Sequence, residues 1–305
     1  MQTSPFPVFL MPSRVFEMTD LSKSYCVIGD PVGHSVSPRI HHYIHRVLGL
    51  DLDYDAVHVT PDSLPEFVHE AAEKGRPGFN VTIPHKEKII PLLNEIDPLI
   101  HRVGAVNTVK NQDGRLIGFN TDVSGCRSAL LQERWVPHGD GVIMGAGGAA
   151  RAAVEALVSL GLRRIFLLNR TPARAERLKK DFEAFPSLEI IVGSLENDDP
   201  ERFIHGKTIL INATPMGMWP HVDESPLKRP DLITPETTVF DMVPRPIHTK
   251  LLLDARSRGA KTISGLRMLV AQAVAAEEIW LDRRFENKLN TDLFEYMINE
   301  MDNDG

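Results

Sequence analysis

Alternating strand-like and helix-like segments predict an α/β protein of two domains, each built on a largely parallel sheet with crossover helices. Three observations carry that expectation. The alternation runs along almost the whole chain past residue 22 and restarts at Gly141, where a short apolar strand enters a glycine-rich turn. The 305 residues are enough to bury two cores. The last forty residues hold two helical patterns with no strand between them, so they must cover something already built.

In the first series, residues 25–29 read as a strand, 38–48 as a helix and 54–59 as a strand. A helix over 61–74, a strand over 79–83 and a helix over 85–96 follow. Segments 105–110 and 116–120 form a hairpin across Asn111-Gln112-Asp113-Gly114, where glycine suits a positive φ, and a helix begins near Val123. The second series places strands at 142–144, 165–169, 189–192, 208–212 and 238–243. Its helices include 149–160, 173–184 and 250–258, and the closing pair covers 266–282 and 289–301.

An apolar fraction of 42% and a charged fraction of 25% are those of an ordinary soluble globular protein. A net charge of −7 without any basic run argues against a nucleic-acid partner. Nothing approaches a membrane span. Cys26 and Cys126 lie far apart and outside any metal-ligand spacing. They read as buried thiols in a reducing compartment, with the cytoplasm the expected location. Residues 1–22 read as a loosely held extension, because prolines interrupt its apolar run and no small-residue cleavage site follows.

The stretch Gly78-Phe79-Asn80-Val81-Thr82-Ile83-Pro84-His85-Lys86 is the most informative. Phe79, Val81 and Ile83 alternate as in a strand, and Pro84 suits the start of a helix. Lys86 then falls in the first helical turn, where the dipole disfavours a cation. A lysine at such a junction stands where α/β proteins place their ligands. The plain alternative is a solvated lysine beside Glu87.

Gly145-Ala146-Gly147-Gly148-Ala149 follows a strand and opens an alanine-rich helix. That placement lets the backbone approach a pyrophosphate at the helix N-terminus. At the end of the next strand, NAD-binding folds carry an acid for the ribose 2′-hydroxyl. Here Asn169-Arg170-Thr171 occupies the position, Arg174 follows one turn later, and no acid is present. Two guanidinium groups suit a 2′-phosphate, so the expected cofactor is NADP. Otherwise they are a pair of solvated arginines.

Gly33-His34-Ser35-Val36-Ser37-Pro38 brings two hydroxyls near a helix N-terminus, where they could hold a small carboxylate. Ser37 before Pro38 also makes a good N-cap, an explanation that Ser35 lacks. Asp122, or Thr121, could likewise merely cap the next helix.

With these motifs, and with Gly104-Ala105-Val106-Asn107-Thr108, Asn120-Thr121-Asp122, Asn212-Ala213-Thr214-Pro215 and the run from Gly265 to Gln272, the chain resembles the shikimate dehydrogenase family over nearly its whole length past the extension. The resemblance implies that NADPH reduces 3-dehydroshikimate to shikimate, the fourth step towards chorismate and the aromatic amino acids. It implies Lys86 and Asp122 as the catalytic pair. Ser35 and Ser37 would bind the ring carboxylate, and Thr82, Asn107, Asp122 and Gln272 the ring oxygens. Gly145, Ala146, Gly147, Gly148, Ala149, Asn169, Arg170, Thr171 and Arg174 would hold the nucleotide, with Met242 and Gly265 at its nicotinamide end. The implied architecture is an N-terminal substrate domain over 23–125, completed by 266–305, and a Rossmann-like dinucleotide-binding domain over 126–265. The active site would lie in the cleft between them, in a monomer or homodimer.

Chemistry agrees with that assignment. Hydride delivery to a ketone leaves an alkoxide, which needs a proton and a positive neighbour, and Lys86 can supply both. One departure stands out. The family usually has tyrosine three residues after Asp241, near the substrate carboxylate, whereas this chain has Pro244, with Arg245 as an alternative contact. A relative that also oxidises quinate, often with NAD, and a non-catalytic NADP-binding sensor are the rival assignments. Arg170 and Arg174 oppose the first, and retention of Lys86 with Asp122 opposes the second.

His41 and His45 lie four apart on a predicted helix, a spacing that can bind zinc. No third ligand accompanies them in the sequence, so a solvated helix face and no metal are expected. His85 is expected to point away from its neighbour Lys86.

Overall fold

The computed structural model describes residues 21–183, 185, 187–196 and 202–303, so residues 1–20 of the expected extension lie outside it. The described residues form two six-stranded sheets. In the first, β1 (Ser24–Gly29) is flanked by β2 (Asp53–His58) and β3 (Gly78–Val81), all parallel. Helices α1 (Ser37–Leu48) and α2 (Leu64–Glu73) make the crossovers. The sheet continues through β4 (Glu95–Ile96), β5 (Thr108–Gln112) and β6 (Arg115–Phe119), in the order β2-β1-β3-β5-β6-β4. The β5–β6 turn is two residues, Asp113 at φ 53° and Gly114 at φ 84°. Both are left-handed, the pairing that a tight hairpin requires.

A short helix α3 (Ile100–Val103) precedes the hairpin, and α4 (Thr121–Gln132) leaves it for the second sheet. That sheet is wholly parallel, with β7 (Asp140–Met144), β8 (Arg164–Asn169), β9 (Glu189–Ser194), β10 (Thr208–Asn212), β11 (Thr238–Asp241) and β12 (Lys261–Ser264). Its order, β9-β8-β7-β10-β11-β12, reverses direction at β7, the arrangement that opens a dinucleotide crevice. Val142, Ile143, Met144, Ile209, Leu210 and Ile211 are all buried, as helices on both faces demand. Those helices include α5 (Gly148–Ser159), α6 (Pro172–Asp181) and α7 (Lys250–Ser257). In α5, Ala150, Ala152, Ala153 and Ala156 are buried in one cluster with Ile143 and Ile211, their small side chains bringing the helix close to the sheet.

Helix α8 (Gly265–Trp280) starts at the edge of the second sheet and returns to the first, where α9 (Asn287–Asn303) packs on it. The Trp280 indole donates to the Val109 carbonyl at 2.9 Å. A Cβ on Gly78 would lie 2.3 Å from that indole nitrogen, so only glycine fits there. Among the described residues, no helix is long and apolar enough to cross a membrane.

The expected helix over 85–96 does not form. A turn follows Pro84, a 3-10 turn covers Ile90–Leu92, and β4 then joins the sheet. Pro91 explains this, because it has no N–H to donate to the Glu87 carbonyl and so interrupts an α-helical hydrogen-bond series in the middle of the segment. Lys86 therefore opposes no helix dipole. Strands β4 and β12 and helix α3 are absent from the sequence-based scheme; each is only two to four residues long, too short to show a period.

Candidate active site

The first sheet ends in a compact polar network. Lys86 stands two residues after Pro84, where its carbonyl accepts from the Val106 amide at 2.8 Å. Its ammonium donates to Asp122 Oδ2 at 2.5 Å, with side-chain exposures of 20% and 10%. Asp122 lies in the first turn of α4 but does not cap it. Asn120 is the N-cap, its Oδ1 accepting from the Val123 amide at 3.1 Å. The capping alternative for Asp122 and Thr121 is thereby removed, and the carboxylate is left free to face the lysine.

Asn107 holds the other oxygen, donating through Nδ2 to Asp122 Oδ1 at 2.9 Å. Its own Oδ1 accepts from the Thr121 amide at 2.7 Å, which fixes the orientation of the side-chain amide. Gln272 arrives from α8, with Oε1 at 3.3 Å from the Thr121 hydroxyl and 3.4 Å from Asn107 Nδ2. These long contacts leave the Gln272 oxygen weakly engaged. Thr82 follows β3, with its amide on the Ile28 carbonyl at 2.9 Å and its methyl against Gly29. His85 is fully buried and reaches the Val59 carbonyl at 2.6 Å, so it faces away from Lys86 as expected.

The two serines exchange their expected local roles. Ser35 Oγ accepts from the Ser37 amide at 3.2 Å, so Ser35 has the backbone duty. Ser37 is the first residue of α1, the cap position is Val36, and no side chain caps the helix.

At β7 the chain turns through Gly145 at φ 115°, where a Cβ would meet the Ala213 carbonyl at 2.8 Å. Gly147 is the N-cap of α5 and offers no side chain, and a Cβ there would meet nothing within 4 Å. The leading N–H groups of α5 thus point at open space beside a backbone that can come close, which suits a pyrophosphate. A Cβ on Gly148 would lie 3.6 Å from the Lys86 side chain, so this turn faces the lysine across the cleft. Asn169 Nδ2 donates to the Thr171 carbonyl at 2.9 Å and shapes the loop after β8. Arg170, Thr171 and Arg174 are exposed there, and neither arginine is paired among the described residues. These residues fit NADP. Met242 and Gly265 adjoin, since a Cβ on Gly265 would lie 2.5 Å from the Met242 carbonyl carbon.

Asp241, given no role from the sequence, organises the neighbouring loop. It accepts from Thr249 at 2.6 Å, Asn212 at 2.9 Å and the Val243 amide at 3.0 Å, while burial pushes its carboxyl up to about 6. Pro244 follows in that loop. The Arg245 carbonyl accepts from the Trp219 amide at 3.1 Å, and the Trp219 ring lies 5.5 Å from that of His34, next to Ser35. Pro244 and Arg245 thus belong to the end of the cleft that carries the serines.

The expected solvated face of α1 is overturned. His41 and His45 are buried with Glu277 of α8, whose Oε1 lies 2.6 Å from His41 Nδ1 and 2.8 Å from His45 Nε2. The fold supplies the third group that the sequence lacked nearby, from a position 236 residues away. These are hydrogen-bond separations, whereas ligand atoms around tetrahedral zinc stand about 3.3 Å apart.

Comparison with known proteins accounts for both halves. The family model described as shikimate dehydrogenase substrate binding domain matches residues 27–109, and that described as shikimate / quinate 5-dehydrogenase matches 138–252. A shikimate dehydrogenase (NADP(+)) of Methanopyrus kandleri is 42% identical over 83% of this chain and 88% of its own. The crystal structure of shikimate 5-dehydrogenase from Thermus thermophilus in complex with NADP(H) and shikimate is 34% identical. It superposes with a TM-score of 0.78 over 90% of this chain and 98% of that one. Quinate dehydrogenase from Corynebacterium glutamicum in complex with NAD is 28% identical, with a TM-score of 0.82 over 91% of this chain and 99% of that one. Matched in both halves, in order and over most of its length, the chain belongs to the shikimate dehydrogenase family.

Proposed function

We propose that this chain catalyses the reversible, NADP-dependent reduction of 3-dehydroshikimate to shikimate, a step of aromatic amino-acid biosynthesis in the cytoplasm. The observation that carries the proposal is the Lys86–Asp122 pair at 2.5 Å, with Gly148 of the glycine turn against the lysine stem. NADPH, when bound, supplies the hydride that reduces the ketone. Lys86 gives the proton that the resulting alkoxide needs and places a positive charge beside it. Asp122 aims the ammonium and offsets its desolvation. In the reverse direction the same lysine takes the proton from the hydroxyl.

Ser35 and Ser37 take the ring carboxylate, and Thr82, Asn107, Asp122 and Gln272 the ring oxygens. Gln272 suits this task because its oxygen is weakly engaged. The turn Gly145–Ala149, with Asn169, Arg170, Thr171 and Arg174, holds the nucleotide, and Met242 with Gly265 bounds the nicotinamide end. Residues 23–125 with 266–305 serve as the substrate domain and 126–265 as the NADP domain, in a monomer or homodimer.

Initial rates on shikimate and quinate, each with NADP and NAD, test the proposal. Shikimate with NADP should be fastest. A faster rate on quinate with NAD would give the chain to the quinate branch, and no rate with any pair would leave a non-catalytic NADP-binding protein.

A further inference from the structure

Two aromatic rings meet across the cleft. His34 lies in the loop that leaves β1 of the first sheet, directly before Ser35. Trp219 lies in the loop that leaves β10 of the second sheet. Their ring centroids are 5.5 Å apart and the planes are tilted by 59°. Both residues are exposed, Trp219 to 50%, and neither ring makes a hydrogen bond among the described residues. A lone exposed aromatic residue needs no explanation. Here, however, exposed Met218 precedes Trp219, and exposed Ile83 holds the base of the His34 loop, its carbonyl accepting from the Asp30 amide at 3.0 Å. Apolar side chains are thus left open on both edges of the cleft, at the end that carries the serines.

The loop behind Trp219 is anchored in the core. Asn212, fully buried at the end of β10, accepts through Oδ1 from the Thr214 amide at 2.9 Å and hydroxyl at 2.7 Å. Its Nδ2 donates to the Met216 carbonyl at 3.1 Å and to Asp241 Oδ1 at 2.9 Å. Asp241 also accepts from the Val243 amide at 3.0 Å, and the Trp219 amide donates to the Arg245 carbonyl at 3.1 Å. The loops after β10 and β11 therefore form one lip, and Trp219 is the part of it that reaches the other sheet. Elsewhere the two halves are joined by a different kind of contact. Arg102 of α3 donates twice to Glu155 of α5, at 2.8 and 3.3 Å, and that carboxylate is buried. Breaking the ion pair would strand a buried charge, whereas two exposed rings part at little cost.

Surface rings can lie close without consequence. This pair differs because the rings come from opposite sheets, beside Ser35, on a lip that buried hydrogen bonds hold in shape. We propose that His34 and Trp219 form a clasp across the cleft, parting to admit substrate and closing its carboxylate end over bound shikimate. The proposal rests on the assignment of Ser35 and Ser37 to the carboxylate. Closure keeps water from the carboxylate and its hydroxyl partners, which strengthens the hydrogen bonds between them. Pro244 offers no phenol at this end, and Trp219 is the aromatic side chain that the same lip presents instead.

Steady-state kinetics and fluorine NMR of the full chain test it. Trp219→Ala and His34→Ala should each raise the shikimate KM by about two- to tenfold, the effect of one aromatic pair. Both kcat and the NADP KM should stay within about twofold, as expected of groups that hold substrate without touching the reacting atoms. Trp219→Phe keeps a ring and should recover most of the loss. The double variant should have a shikimate KM close to that of the worse single variant, because both changes open one clasp. A role confined to stability would lower Tm and leave KM alone. Closure itself is read from 5-fluorotryptophan. Trp135 and Trp280 are 4% and 6% exposed, so the solvent-sensitive resonance belongs to Trp219, and its loss in Trp219→Phe identifies it. Shikimate added to the NADPH-loaded enzyme, a pair that cannot react, should shift that resonance, and His34→Ala should remove most of the shift. An unmoved resonance, an unchanged shikimate KM in Trp219→Ala, or effects that multiply in the double variant would overturn the clasp. If Ser35→Ala and Ser37→Ala both leave the shikimate KM unchanged, or the wild type turns over no shikimate, the functional assignment has failed and takes the clasp with it. If either serine variant raises KM and Trp219→Ala does not, the clasp alone has failed.

Discussion

The two sides of the cleft are built differently. On the substrate side, Lys86, Asp122, Asn107 and Ser37 each already have a side-chain or backbone partner, and Asp122 has one on each oxygen. On the nucleotide side, Arg170 and Arg174 are exposed and unpaired among the described residues, and the glycine turn opens onto space. Each side therefore draws its geometry from a different source. The substrate side is organised before any ligand arrives, as transition-state stabilisation requires. The nucleotide side gains its contacts from the cofactor and gives up little by waiting for it.

That contrast breaks first at Lys86. Lys86→Ala should lower kcat by about 10²–10⁴-fold, the effect of losing a positioned proton donor, while fold and NADP binding survive. Retention of more than a tenth of wild-type turnover would remove the lysine from the chemistry. Asp122→Asn should raise the shikimate KM as well as lower kcat, for a loss of roughly ten- to hundredfold in kcat/KM, because the carboxylate serves ground and transition states together. Since Asn120 caps α4, thermal stability should barely register the change through the cap. Unchanged steady-state kinetics would show that the paired carboxylate is only structural.

On the open side, Arg170→Ala should weaken NADP about ten- to hundredfold, the range for a charged hydrogen bond, and hardly change NAD. Equal losses for both cofactors, measured by fluorescence titration, would mean that Arg170 does not read the 2′-phosphate. The smallest effect concerns Pro244. Pro244→Tyr should tighten shikimate binding by about 0.5–1.5 kcal/mol, the net value of one hydrogen bond, with NADP affinity unaltered. Thermal melts must accompany the binding data, since replacing a proline loosens the unfolded chain as well. A stable variant that binds shikimate no better would show that this loop has replaced the phenol, with Arg245 the next residue to change.

Much of this contrast is legible in the sequence, for identifiable reasons. The glycine turn and Asn169-Arg170-Thr171 are contiguous, so local pattern places them at the ends of β7 and β8. The long apolar runs of the second sheet are equally plain. What the sequence hides are contacts between distant segments. Glu277 turns His41 and His45 from a polar helix face into a buried cluster, and nothing near either histidine announces it. Tyr54 is one aromatic residue in a mostly exposed strand, and only the fold brings its phenol against Asn80. The helix wrongly expected over 85–96 is a different failure, because Pro91 is visible in the sequence and outweighs the apolar spacing around it. Likewise, the pairing of Ser37 with Pro38 suggests a cap, while the structure gives the backbone contact to Ser35.

The most direct test of this division of labour compares Lys86→Ala and Arg170→Ala in one NADPH titration followed by turnover at saturating cofactor. Lys86→Ala should bind NADPH like the wild type yet turn over at least about a hundredfold more slowly. Arg170→Ala should do the reverse, with weakened binding and near-wild-type turnover once saturated. Loss of both properties together in either variant would contradict a cleft whose two sides work separately.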